Sequence, residues 1–211
     1  MEILELIAQA LQQGDDQQVG RLAAEALAAG LPAGDVLQKG LVAGMNVVGE
    51  QFRLREIFLP DVLLSARAMY AGLDVLKPHL ASEGVASKGK VVIGTVKGDL
   101  HDIGKNLVGI MLKGAGYEVI DLGHDVAPET FVETAVREGA PLVGMSALLT
   151  TTMTRMRDVV ALLRERGLAG KVRTIVGGAP VSAEFAREIG ADDYACDAAT
   201  AVDRVRALLG A

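Results

Sequence analysis

The apolar residues change period once along the chain, and that change divides it. From Met1 to about Leu80 they fall at helical spacing, with Ile3, Leu4, Ile7 and Leu11 in one stripe and Leu37, Leu41, Met45, Val48 and Phe52 in another. Gly14-Asp15-Asp16, Gly30-Leu31-Pro32 and Phe58-Leu59-Pro60-Asp61 punctuate this half. Pro60 suits the first turn of a last helix, so four helices are expected. The segment ASEGVASKGK (81–90) has almost nothing to bury and reads as a linker and candidate hinge. Beyond it, five short β-rich runs, VVIGTV (91–96), YEVIDLG (117–123), LVGMSAL (142–148), RTIVGGA (173–179) and DYACD (193–197), alternate with amphipathic stretches. Buried strands in βα alternation specify a doubly wound parallel sheet. The expectation is an α/β chain: a four-helix bundle over 1–80, a linker over 81–90, and a five-stranded flavodoxin-like or Rossmann-like unit over 91–211.

Charge and composition narrow the partners. The chain has 21 Lys and Arg against 27 Asp and Glu, a net charge of −6, which argues against nucleic acid or an anionic membrane as default partner. The only aromatics are four Phe and three Tyr, so the core must come from Ala, Val, Leu, Ile and Met. Cys196 is the sole cysteine, which excludes an internal disulfide and any CxxC metal site, and it reads as a small core residue at the end of the fifth strand. The acidic start MEILELIAQALQQ does not look like a signal peptide, and no apolar run approaches the ~18 residues of a membrane span. A reducing cytoplasm is the expected location.

In a doubly wound sheet a ligand binds at the carboxyl ends of the strands, near the switch between strands one and three. The loops there read VKGDLHDIGKN, SALLTTT and GGAPVS. The first resembles a phosphate loop only superficially: five residues separate Gly98 from Gly104-Lys105, where four are required, and Asn106 follows instead of Ser or Thr. His101 stands between Asp99 and Asp102, three residues ahead of Gly104. A lone loop histidine is most often structural or solvated. A metal-ligating imidazole, however, donates its second N–H to an acceptor that fixes its tautomer, and Asp99 is placed for that role. His79 suits the dipole at the end of the last helix of the first half, and His124 stands near the binding edge.

Asp99-Leu100-His101-Asp102-Ile103-Gly104, then Ser146-Ala147-Leu148, then Gly177-Gly178 resembles the DxHxxG…SxL…GG signature of corrinoid (cobamide) binding domains, in order and spacing. Residues 45–69, MNVVGEQF…FLPDVLLSARAM, are similar to the helical cap of cobalamin-dependent methionine synthase and of methyltransferase corrinoid proteins. The resemblance implies a cobamide, cobalamin or an analogue, bound with its own lower base displaced and His101 as the cobalt ligand. Asp99 would bond His101, with Ser146 behind it as a relay, and Asp102, Ile103 and Gly104 would complete the loop. Gly177 and Gly178 would supply bare backbone along a slot for the nucleotide tail, lined also by Ser146, Leu148 and Thr150. Phe52 and Leu59, with Met45 and Val62, would cover the upper face.

The implied function is carriage of a methyl group on cobalt from a substrate-specific methyltransferase to an acceptor methyltransferase, with a reductive activator as third partner. Methanol, a methylamine or an aryl methyl ether would be the donor, and tetrahydrofolate or a thiol the acceptor. No nucleophile or oxyanion site stands outside the corrin edge, so the chain is read as a carrier and not an enzyme by itself. Two alternatives share the motif. A radical mutase subunit lacks such a helical cap, and a cobalamin-based sensor typically adds a DNA-binding module and a tryptophan-containing cap motif.

Overall fold

The computed structural model describes residues 2–83 and 87–210. It divides into two compact units, a helical one, Met1–Ala86 with Gly114–Gly116, and an α/β one, Ser87–Lys113 with Tyr117–Ala211.

The helical unit begins with α1 (Ile3–Gln12) and α2 (Asp16–Ala28), whose N-cap Asp15 accepts the Gln18 N–H at 2.9 Å. The third helix runs through α3 (Ala33–Asp35), a π-helical stretch (Val36–Val42) and α4 (Ala43–Arg53). The wider turn changes which residues face inward: Val36 and Leu41, five apart, are both fully buried, while Leu37 of the expected stripe is half-buried. From Leu41 onward the α spacing holds, through buried Met45 and Val48. The fourth helix, α5 (Leu59–Glu83), carries Pro60 in its first turn as expected, and Asp61 accepts the Phe58 N–H at 2.8 Å. It also outruns the expected boundary at 80. Its last residue, Glu83, accepts the N–H groups of Ala33 (2.9 Å) and Gly34 (3.2 Å), so the end of α5 caps the start of α3. Of the expected hinge, residues 84–86 lie outside the described residues.

The α/β unit alternates β1 (Lys90–Thr95), α6 (Ile103–Gly114), β2 (Glu118–Asp121), α7 (Pro128–Glu138), β3 (Leu142–Ser146), α8 (Thr150–Met153), α9 (Arg155–Glu165), β4 (Arg173–Gly177), α10 (Ala183–Ile189), β5 (Asp193–Ala195) and α11 (Ala198–Leu209). All pairings are parallel and the order is β2-β1-β3-β4-β5. After β1 the chain goes to one side for β2 and to the other for β3, which puts the switch point between β1 and β3. Val92, Val143 and Val176 of the central strands are buried with Phe131 of α7 and Met156 of α9. Small aliphatic strand residues under few aromatics make this core, as the composition requires.

Cys196 departs from expectation. The edge strand β5 ends at Ala195, so Cys196 falls in the turn before α11 and is exposed, its Sγ 3.6 Å from both Asp197 Oδ2 and Thr200 Oγ1.

Candidate functional site

The switch point is built around a buried carboxylate. The chain leaves β1 at Thr95, whose buried hydroxyl donates to the His101 carbonyl at 3.0 Å, and it turns through Gly98, which sits at φ +83°. Asp99 follows with no exposed surface. Its Oδ1 accepts the His101 N–H (3.0 Å) and faces the His101 Nδ1 (2.8 Å). Its Oδ2 accepts the N–H groups of Leu148 (2.8 Å) and Leu149 (3.3 Å) and the Thr152 hydroxyl (2.5 Å). Burial alone would raise the acid's pKa, but the bonds from Thr152, the His101 and Leu148 backbone and the His101 ring outweigh it, holding Asp99 well below the usual carboxylate range.

That ionisation settles the tautomer of the uncharged ring. An ionised carboxylate only accepts hydrogen bonds, so the Nδ1 of His101 carries the proton and Nε2 the lone pair. The His101 side chain is half-exposed, while Asp99 beneath it is sealed. The site therefore presents one oriented imidazole nitrogen as a ligand donor.

Thr152 was not among the expected site residues. Ser146, expected behind Asp99, closes β3 in register with Thr95 and Gly177 and is half-buried, but the hydroxyl bonded to Asp99 belongs to Thr152. The sequence signal was present in the run Thr150-Thr151-Thr152; only the short helix α8 decides that the third points inward while the first two are exposed.

Lys105 likewise has a definite task. Only 4% exposed, its ammonium lies 2.6 Å from both Asp121 carboxylate oxygens and 2.6 Å from Asn106 Oδ1, which ties the first turn of α6 to the end of β2. Asp102, half-buried, accepts the Asn106 N–H on its carbonyl at 2.7 Å and starts the same helix.

The surface around His101 is apolar and open. Leu100, Ile103, Leu148 and Leu149 are 66%, 71%, 45% and 43% exposed; Ile103 opens α6 and the other three stand on the two loops that Asp99 joins. A cluster of large exposed apolar side chains at a loop edge marks a ligand or partner surface. A Cβ built on Gly104 meets nothing within 4 Å, so the protein's own packing does not require glycine there. Among the described residues no three His, Cys, Asp or Glu side chains gather into a metal cage. One imidazole, an apolar bed and a bare helix start would suit an apolar, metal-bearing cofactor that needs a single nitrogen ligand from the protein.

Gly177, the last residue of β4, and Gly178 after it have a nearer reason than the expected slot. Gly178 sits at φ +125°, and a Cβ there would lie 1.9 Å from the Ala147 carbonyl oxygen; at Gly177 it would lie 2.9 Å from that of Ala195. Both are required by the close approach of the chain to itself. Any side chain at Gly178 would collide with the Ala147 backbone whether or not a ligand is bound.

In the helical unit the four expected cover residues separate into two pairs. Met45 and Val62 are buried, while Phe52 and Leu59 are half-buried; Leu54 and Phe58 between them are 55% and 68% exposed. A covering residue must be reachable, so Leu54 and Phe58 join Phe52 and Leu59 as candidates. His79 lies on α5 and His124 in the turn after β2, both exposed.

Comparison with known proteins gives the family to which this fold belongs. Residues 89–205 match the B12 binding domain family, and residues 3–77 match a second family also described as a B12 binding domain. The chain is 46% identical over 213 residues to corrinoid protein DSY3155 of Desulfitobacterium hafniense (strain Y51), an alignment covering 100% of this chain and 99% of that protein. It is 45% identical over 210 residues to trimethylamine corrinoid protein 1 of Methanosarcina mazei, covering 99% and 97%. Its fold superposes with a TM-score of 0.88 on a chain of the methanol:cobalamin methyltransferase complex from Methanosarcina barkeri, at 33% identity, covering 99% of this chain and 80% of that one. A cobalamin-binding protein from Desulfitobacterium hafniense DCB-2 superposes with a TM-score of 0.81 at 32% identity, covering 97% and 98%. A carboxylate-anchored histidine at the switch point of a parallel sheet that follows a helical unit is thus set in a chain that belongs to the corrinoid, B12-binding protein family.

Proposed function

We propose that this chain is the methyl-carrying corrinoid subunit of a methyltransferase system, in which His101 would hold the cobalt of a bound cobamide through Nε2. The observation that carries the reading is the Asp99–His101 pair: a sealed, ionised carboxylate dictates which imidazole nitrogen is free and aims it from the sheet edge. Bound there, the cobamide supplies the cobalt that takes up and hands on the methyl group.

The chain's own residues bind and orient. Asp99 fixes the His101 tautomer and strengthens the ring as a donor, and Leu148, Leu149 and Thr152 hold Asp99. Leu100, Ile103 and Leu148 give an apolar bed and Gly104 keeps the approach clear, while Ser146 and Thr150 border the same edge. Phe52, Leu59, Leu54 and Phe58 offer an apolar surface able to exclude water.

The relatives named for trimethylamine, and the structural relative within a methanol:cobalamin methyltransferase complex, support a methyltransferase as partner. A second methyltransferase for the acceptor and a reductive activator complete the system, and the carrier works in the cytoplasm. Among the described residues no helix is long and apolar enough to cross a membrane.

The test is electron paramagnetic resonance of the full-length protein loaded with cobalamin and reduced to cobalt(II), prepared with ordinary and with ¹⁵N-labelled histidine. A nitrogen coupling that changes with the histidine label is expected, and it should vanish in His101→Ala. A coupling indifferent to the label would overturn the assignment.

A further inference from the structure

Asp125 lies outside the loop that carries His101, in the connection between β2 and α7, yet its polar groups are directed at that loop. Its Oδ1 accepts the Gly98 N–H at 2.8 Å, its Oδ2 pairs with the Lys97 ammonium at 3.1 Å, and its own N–H donates to the Asp99 carbonyl at 3.0 Å. Those partners, Lys97, Gly98 and Asp99, are the last three of the four residues that lead from the end of β1 at Thr95 to the carboxylate beneath His101. Asp125 makes these bonds at φ +56°, and among the described residues only Arg55 and Asp125 are non-glycines in the left-handed region. A side-chain-bearing residue stays there when its surroundings over-determine it. The single bridge Val96–Val126 and the bond from Val126 N–H to the Thr95 carbonyl (3.0 Å) hold the two loops side by side.

Asp99 is consequently held at both ends. Its side chain is gripped from the β3 side by Leu148, Leu149 and Thr152, and its main chain from the β2 side by Asp125. We propose that Asp125 is a positioning residue for the cobalt ligand: by holding Gly98 and the Asp99 main chain, it sets the direction in which the Asp99 carboxylate aims the His101 imidazole. This rests on His101 being the axial ligand. An Asp that merely shapes a turn would bond within its own segment, as Asp61 does with Phe58. Asp125 instead bridges two connections that are 27 residues apart at Gly98. The exposed Lys97 pair is the dispensable part of the grip, because screened surface pairs contribute little.

The variants separate positioning from folding. Asp125→Gly removes the carboxylate but suits the positive φ, so the fold and its thermal stability are expected to persist. Asp125→Asn keeps an oxygen for the Gly98 N–H, and Lys97→Ala breaks only the surface pair. In full-length protein loaded with cobalamin and reduced to cobalt(II), Asp125→Gly should lower the fraction showing histidine nitrogen coupling. It should also raise the cobalamin Kd roughly 3- to 10-fold, below the ~10–100-fold typical when a group bonded directly to the ligating histidine is lost. Asp125→Asn and Lys97→Ala should stay within about twofold of wild type. In cofactor-free protein, the Gly98 amide should exchange faster in Asp125→Gly at unchanged melting temperature. A histidine-ligated fraction and Kd in Asp125→Gly equal to wild type would overturn the proposal. Wild type lacking any histidine nitrogen coupling would instead remove the axial-ligand reading, before any variant is compared.

Discussion

Thr152 Oγ1 lies 2.5 Å from Asp99 Oδ2, and this one bond joins the helix that follows β3 to the loop that follows β1. The hydroxyl also lies 3.0 Å from the Leu149 carbonyl. It has a single proton, and the ionised carboxylate is the stronger and nearer acceptor. One of the residues that keep Asp99 charged therefore stands 53 positions from it in sequence.

Thr152→Val preserves shape and removes that proton. A buried carboxylate would lose one of its donors, and about 1–3 kcal/mol of stability should disappear from the cofactor-free protein. Urea unfolding measures this, and Thr152→Ser should recover most of the difference. Equal midpoints for wild type and Thr152→Val would show that Asp99 is sufficiently held by the backbone N–H groups of Leu148 and Leu149.

His101→Ala should leave a folded protein, since the ring is half-exposed and Asp99 keeps the bonds from Leu148, Leu149, Thr152 and the His101 main chain. Circular dichroism should be unchanged. Exogenous imidazole added to the cobalamin-loaded variant should restore an axial nitrogen signal; failure of every imidazole concentration to do so would argue against an open ligand position there.

Two glycines should respond in opposite ways. Gly178→Ala places its Cβ against the Ala147 carbonyl at an unfavourable φ and should destabilise the fold by at least ~2–3 kcal/mol. Gly104→Ala enters open space near the start of α6, and should leave stability equal or slightly higher while weakening cobalamin binding. Thermal melts and cofactor titration of the pair separate a glycine needed by the chain from one needed by its ligand.

Acid stability should carry the signature of Asp192. Burial opposes its ionisation, but bonds from Arg173 (2.9 Å) and from the N–H and hydroxyl of Thr174 (both 2.8 Å) lower its pKa overall. A carboxyl whose folded pKa is depressed contributes stability above its unfolded value, near ~4, and loses it as pH falls toward the folded value. Asp192→Asn should therefore be less stable than wild type at pH 7, with the gap closing below about pH 4. A pH-independent difference between the two proteins would exclude linkage through this group.

Much of the architecture was legible in the chain itself because it rests on short-range pattern. The helical stripes, the Gly-Asp and Leu-Pro breaks and the five β-rich runs each concern neighbours within a few residues, and the strands appear where those runs stand, shorter at their C-terminal ends, with β1 starting one residue earlier at Lys90. Parallel strands follow from βα alternation, and the flavodoxin-like order β2-β1-β3-β4-β5 marks the loop of Asp99 and His101 as the place for a ligand. The motif residues Asp99 and His101 are two apart, so their bond too is a local matter. What tertiary structure alone decided is every contact across loops. It chose Thr152 over Ser146 as the hydroxyl on Asp99, turned Lys105 inward to Asp121, set Gly178 against Ala147, and moved Val36 into the core through a π turn. Such choices depend on angles of a few degrees summed over a helix or strand, and on which of several adjacent side chains a neighbouring loop meets; a pattern of residue types does not encode that orientation until the sheet brings the loops together.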